Sequence, residues 1–135
     1  MHYDADYKPL AKAWLAVDED DRVAAIDQHH EGLEGVLHDG HHPPHLHARM
    51  HLVVENQAAE GLEAVVRTLD RLTGEGVRRH AAVHMIIGVL TETFAAMAVN
   101  QEPFDEVAYG EKLDALDAGS WIGARMRRDL GPVDV

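Results

Sequence analysis

Two pairs of histidines and one glutamate stand at helical spacing and carry the clearest chemical signal in this sequence. His47, His51 and Glu55 follow one another at intervals of four residues, and His80 and His84 repeat that interval. Because an α-helix turns about 100° per residue, each step of four drifts by only about 40°, so each group shares one stripe of its helix. Imidazoles at i and i+4 can chelate one ion, and a facing helix can complete the ligand set. The pattern therefore predicts a metal site between two helices.

These five residues leave several arrangements open. The axial rise from His47 to Glu55 is roughly 12 Å, so one ion cannot easily bind all three residues of that helix. Either one ion takes a histidine pair from each helix, or two ions share the stripe, or Glu55 orients an imidazole through its free N–H group. Alternatively, the residues form a hydrogen-bonded core network without metal, and the domain is a non-catalytic structural or interaction module.

The composition restricts the metal chemistry further. The chain has no cysteine, which excludes disulfides, thiolate zinc sites, iron–sulfur clusters and cysteine nucleophiles. Imidazole and carboxylate ligands suit a divalent transition metal, that is zinc, iron, manganese or nickel. No glycine-rich phosphate loop and no H-E-x-x-H zincin motif occurs, so no catalytic residue or substrate is indicated.

Other histidines carry weaker signals. Four of them fall in a segment rich in glycine and proline, where adventitious metal binding is the favoured interpretation: His38, His41, His42 and His45. His30 shares a helical stripe with Val23 and Ile26, which makes it a possible further ligand. Asn56 and Gln57 follow Glu55 directly, and we interpret them as hydrogen-bonding residues at a helix end.

Helical periodicity surrounds these residues and predicts an all-α fold. Aromatic residues make up only 5% of the chain, and no segment alternates as a strand would. We expect a single-domain antiparallel bundle of five to six helices over residues 1–135. The first predicted helix covers about residues 9–17, and the second begins after residue 18. Four further helices are predicted at about 44–59, 62–73, 78–100 and 105–116. The fifth is the most apolar, with a seam of Val83, Ile87, Leu90, Phe94 and Met97.

The charge of the chain bears on its partners and its location. Lys and Arg number 12 and Asp and Glu 24, for a formal net charge of −12. So acidic a surface repels nucleic acid and anionic membranes, and we expect binding to neither. No basic segment followed by an apolar one marks a signal peptide at the N-terminus, which predicts a cytoplasmic protein. A homo-oligomer or a protein partner remains open.

The histidine motifs resemble two known families. The run His47-x3-His51-x3-Glu55-Asn56-Gln57, followed by Arg79-His80-x3-His84, is similar to a family of small bacterial helical domains of unknown function, over roughly residues 45–95. That resemblance implies that the histidine and glutamate set is the functional centre. A second resemblance, to hemerythrin-type di-iron bundles, rests on His51/Glu55 and His80/His84. Those bundles need a further H-x4-D helix, and this chain has no histidine after His84.

Overall fold

The computed structural model describes residues 2–31 and 44–119, and within these ranges the chain forms six α-helices and no strand. In chain order they are α1 (Ala11–Leu15), α2 (Glu19–Glu31), α3 (Pro44–Ala59), α4 (Glu63–Gly74), α5 (Arg79–Asn100) and α6 (Glu106–Asp114). The prediction of an all-α helical bundle is confirmed. α3 begins at Pro44 as predicted. Proline has no backbone N–H group, and the first turn of a helix leaves such groups without a helical partner, so proline loses no hydrogen bond there. α1 is shorter than predicted and is anchored by the buried Trp14.

Glycines reverse the chain after α3 and after α4 in the same way. Gly61 (φ 79°) and Gly76 (φ 97°) both adopt the left-handed conformation. The amide of the residue after each glycine donates to the carbonyl five positions earlier, at 2.9 and 3.0 Å respectively. This is the hydrogen-bond pattern of a Schellman motif, which satisfies carbonyls that a helix end would otherwise leave open.

α3 lies between two apolar clusters. Met50 and Val54 face the large cluster, which α4, α5 and α6 complete with Val65, Leu72, Val83, Ile86, Leu90, Tyr109 and Leu113 among others. Ala48 and Leu52 face the small cluster, which the N-terminal segment, α1 and α2 complete with Tyr3, Ala5, Trp14, Val23, Ala25 and Ile26. The stripe of His47, His51 and Glu55 runs along α3 between these two apolar faces.

α5 extends beyond the helices that cover it. Its first half is buried in the large cluster as far as Leu90, but Phe94 is 39% exposed and Val99 is 81% exposed. With 22 residues α5 is roughly 33 Å long, whereas the 12 residues of α4 span roughly 18 Å. The predicted seam therefore holds only for its first half. By length and composition alone α5 also satisfies the criteria for a membrane span, which core helices of soluble proteins satisfy as well.

Replacing either left-handed glycine should destabilise the protein. A Cβ atom at Gly61 or Gly76 would meet nothing within 4 Å, so alanine at either position causes no steric clash. Its only free-energy cost is that of holding alanine in the left-handed backbone conformation. We expect Gly61→Ala and Gly76→Ala each to lower the free energy of unfolding by about 1 kcal/mol, measured by urea denaturation. Gly74→Ala is the matched control, because Gly74 is helical and also has open space, so its stability should be equal or higher. Equal unfolding midpoints for all three variants would contradict this account.

Candidate metal centre

Three imidazoles from two helices converge on one point. His47 and His51 project from α3 and His84 projects from the facing α5. The Nε2 atoms of His47 and His84 are 3.2 Å apart, those of His47 and His51 are 3.1 Å apart, and those of His51 and His84 are 3.0 Å apart. His51 is fully buried, whereas His47 and His84 are partly exposed. The centre is therefore closed on one side and reachable on the other.

The size of this triangle matches three ligands of one ion. Zinc–nitrogen bonds of about 2.0–2.1 Å place two imidazole nitrogens about 3.3 Å apart at a tetrahedral angle and about 2.9 Å apart at a right angle. The three observed separations, 3.0 to 3.2 Å, lie between these values. His47, His51 and His84 would hold such an ion with three ligands, which would leave room for further ligands in its coordination sphere.

Hydrogen bonds among the three rings cannot account for the triangle. An imidazole Nε2 atom either carries a proton or offers a lone pair, so among three such atoms at least two are alike. At least one contact therefore joins two protons or two lone pairs, whichever tautomers the rings adopt. A single cation removes the conflict because it accepts a lone pair from each ring.

Glu55 lies one turn further along α3 and is held by an arginine of α5. Its carboxylate is 1% exposed and accepts two hydrogen bonds from Arg79, one to each oxygen, both at 2.8 Å. The hydroxyl of Tyr3 donates to the same carboxylate at 2.5 Å. Both oxygens are thus engaged by protein donors, and Glu55 does not belong to the convergent group of histidines.

Tyr3 connects this ion pair to the histidines. Its hydroxyl oxygen lies 3.4 Å from Nδ1 of His51, on the side of the ring away from the Nε2 atom that meets His47 and His84. Burial, followed by the neighbouring charge of Glu55, raises the pKa of Tyr3 well above its usual value of 10. The hydroxyl therefore keeps its proton throughout the neutral pH range.

His80 packs beside the centre rather than in it. The residue is fully buried, with ring centroids 4.5 Å from His84 and 5.3 Å from both His51 and His29. Its ring is not among the three whose nitrogens lie together. His29 reaches this region from α2, and burial lowers its pKa below 6.5 although the charge of Asp4 opposes the shift. His29 was not among the residues that the sequence singled out.

Asn56 and Gln57 hold other helices and do not line the centre. The Asn56 side-chain oxygen accepts a hydrogen bond from Trp14 of α1 at 2.9 Å and another from Arg22 of α2 at 2.6 Å. The Gln57 oxygen accepts a hydrogen bond from Tyr109 of α6 at 2.8 Å. Both side chains therefore link α3 to its neighbours, rather than satisfying the end of their own helix.

Residues 3–6, here called the N-terminal strap, lead into a turn closed by the hydrogen bond from the Tyr7 N–H to the Asp4 carbonyl, and they contact the start of α5. The Asp6 carboxylate accepts a hydrogen bond from the backbone N–H of His80 at 3.1 Å and forms an ion pair with Arg78. The carbonyl of Ala5 accepts a hydrogen bond from Arg79 at 3.1 Å. The strap was not predicted from the sequence because it has no helical period. Arg79, in contrast, belongs to the R-H-x3-H motif that the sequence analysis described.

The structure brings together His47, His51 and His84 of the five predicted site residues, and places Glu55 and His80 directly beside them. The side chains of His30, His38, His41, His42 and His45 lie outside the part of the chain that the structure describes.

The comparisons with known proteins identify a family without a function. A family model described as a domain of unknown function, DUF1841, matches residues 15–115. No curated protein and no solved structure matches the chain. The match includes every residue of the three-histidine group together with Glu55 and Arg79, whereas the N-terminal strap precedes it.

Breaking the buried ion pair should cost far more than breaking an exposed one. Glu55→Ala leaves the guanidinium of Arg79, a side chain only 9% exposed, without its countercharge. We expect the free energy of unfolding to fall by about 3–5 kcal/mol, measured by urea denaturation. Asp114→Ala, which removes the partner of the half-exposed Arg67, is the control and should cost less than about 1 kcal/mol. Similar losses in both variants would show that the Glu55–Arg79 pair has no special role.

Alkaline pH should reveal the buried hydroxyl of Tyr3. Because folding raises its pKa above 10, the unfolded chain loses this proton first, and stability falls as the pH rises beyond 10. In Tyr3→Phe this decline should be shallower than in the wild type, measured as the free energy of unfolding from pH 8 upward. Tyr7→Phe is the control, since the Tyr7 side chain is 72% exposed and outside the network. Identical pH profiles for Tyr3→Phe and the wild type would contradict the prediction.

Proposed function

The chain belongs to the DUF1841 family, and we propose that it is a metal-binding helical domain that holds one divalent transition-metal ion through His47, His51 and His84. The observation that carries the proposal is the convergence of three Nε2 atoms within 3.2 Å of one another. Three lone pairs directed at one point repel one another unless a cation lies between them. The spacing of the three atoms suits such an ion.

The donor set indicates which ions and which kind of site to expect. Three imidazoles suit zinc, iron and nickel, and manganese enters where oxygen ligands complete the sphere. Structural zinc sites are closed by four protein ligands, whereas catalytic sites use three and keep a position for water or substrate. The three-histidine group, with two of its rings partly exposed, resembles the second kind.

A structural module without metal is the second candidate, and the hydrogen-bond network favours it in part. Glu55 links the strap to α5, and Asn56 and Gln57 link α3 to three further helices. A purely architectural role explains these contacts. It does not explain why three ring nitrogens face one another with none of these acceptors between them.

Charge and composition suggest the setting in which the domain acts. The net charge of −12 disfavours nucleic acid and anionic membranes as partners, because both repel an acidic surface. We therefore propose that the domain binds neither nucleic acid nor anionic membranes, and we keep the expectation of a cytoplasmic location.

The test is elemental analysis of protein purified without a nickel column. We expect one equivalent of metal in the wild type, and a rise in melting temperature when zinc is added to chelator-treated protein. Affinity should fall as the pH drops through about 6.5, because protonated imidazole cannot bind metal. His51→Ala and His84→Ala should lose both the metal and the rise in melting temperature.

Two histidines of the glycine- and proline-rich segment provide the controls. His41→Ala and His42→Ala should retain one equivalent of metal, since neither residue belongs to the three-histidine group. Full occupancy in His51→Ala and His84→Ala would place the metal elsewhere. A wild-type protein that takes up no metal at any pH from 6 to 8.5 would refute the proposal and leave the structural module.

A further inference from the structure

We propose that Tyr3 is a positioning residue for the metal centre and that it sets the tautomer of His51. This inference rests on the proposed function, because the tautomer matters for an ion that His51 is to bind. It assigns a role to the N-terminal strap, which lies outside the segment matched by the family. One chain of contacts leads from Arg79 through Glu55 and Tyr3 to His51.

The first step is the state of Glu55. Its two oxygens accept parallel hydrogen bonds from the guanidinium of Arg79, both at 2.8 Å. A carboxylate in such a bidentate pair with an arginine is an acceptor only and has no proton to give. Because the pair is buried, water does not compete for these oxygens.

The second step is the direction of the Tyr3 hydroxyl. Glu55 accepts and cannot donate, so the 2.5 Å contact between them requires the single Tyr3 proton to point at Glu55. On its other sides the hydroxyl oxygen then carries only lone pairs. One of these faces Nδ1 of His51, 3.4 Å away, at the long end of the hydrogen-bond range.

The third step is the tautomer of His51. A lone pair on Nδ1 would face the lone pair of Tyr3, whereas a proton on Nδ1 completes a hydrogen bond to it. A neutral imidazole has one N–H group, so a proton on Nδ1 leaves Nε2 with the free lone pair. That Nε2 atom is the one that meets His47 and His84. Tyr3 thus prepares His51 as a ligand before the ion arrives.

Outer hydrogen bonds of this kind tune metal sites in general. A ligating histidine usually donates its other N–H group to a carboxylate, carbonyl or water, and removing that acceptor typically lowers metal affinity 10- to 100-fold. Here the acceptor is a tyrosine whose own proton is fixed by a carboxylate and an arginine. Glu55 acts on the metal through Tyr3, which explains how it can serve the centre without touching the ion.

The first experiment reads the tautomer directly and needs no metal. Long-range ¹H–¹⁵N spectra of chelator-treated wild-type protein near pH 8 should show His51 protonated at Nδ1. Tyr3→Phe keeps the buried ring but removes the acceptor, and its spectra should show a larger share of the Nε2-protonated form. A wild-type His51 protonated mainly at Nε2 would overturn the inference, even if Tyr3→Phe fails to fold.

The second experiment measures zinc affinity by competition with a chromophoric chelator. Tyr3→Phe should still bind one zinc ion, with an affinity 10- to 100-fold lower than that of the wild type. Tyr109→Phe is the matched control: it too removes a buried hydroxyl, which donates to Gln57 far from the centre, and its zinc affinity should equal that of the wild type. Equal affinities for Tyr3→Phe and the wild type, or equal losses in both variants, would overturn the inference.

The two experiments separate this inference from the proposed function. If the wild type binds no zinc, the proposed function fails, while the tautomer of His51 in the metal-free protein still decides whether Tyr3 orients the ring. If zinc binds and the tautomer is the Nε2-protonated one, the metal site stands and the role of Tyr3 falls.

Discussion

The buried ion pair between Glu55 and Arg79 is the interaction on which the arrangement of the centre depends. Removing two charges from water is costly, and the loss is recovered only where every donor and acceptor finds a partner. Here the guanidinium also donates to the Ala5 carbonyl, and the carboxylate also accepts from Tyr3. These contacts hold Glu55 of α3 against the start of α5, one helical turn from the point where His51 meets His84.

The position of α3 explains why its polar residues follow one another without a break. Consecutive helical residues point about 100° apart, so three of them face three different directions. Glu55 faces α5 and the strap, Asn56 faces α1 and α2, and Gln57 faces α6. Near its C-terminal end α3 has protein in all three of these directions, so each of these side chains finds its partner in the protein. The E-N-Q run is therefore a set of cross-links as much as part of a ligand motif.

Helical periodicity in the sequence predicts much of the fold and part of the candidate site, but it does not predict the contacts that depend on distant residues. The four-residue spacing located His47, His51 and His84 on inward faces, because helical geometry alone decides which residues share a stripe. The approach of His29 to the centre was not predicted; the buried face of α2 includes Ala25 as well as Ile26, which brings that face toward His29. The role of Tyr3 has no local signature, since it depends on contacts with residues about fifty positions away.

The strap also has a consequence for the order of assembly. Tyr3 and Asp6 precede α1, yet their hydrogen-bond partners lie 52 and 74 positions later in the chain. Tyr3 can pack against Trp14 of α1 early, but its hydroxyl meets Glu55 only once α3 has been made, and Asp6 meets the His80 N–H only once the start of α5 has been made. Contacts so distant in sequence are entropically expensive to close and form after local ones. The hydrogen bonds of the strap are thus among the later contacts to form, and the outer support of His51 arrives only once α3 is in place.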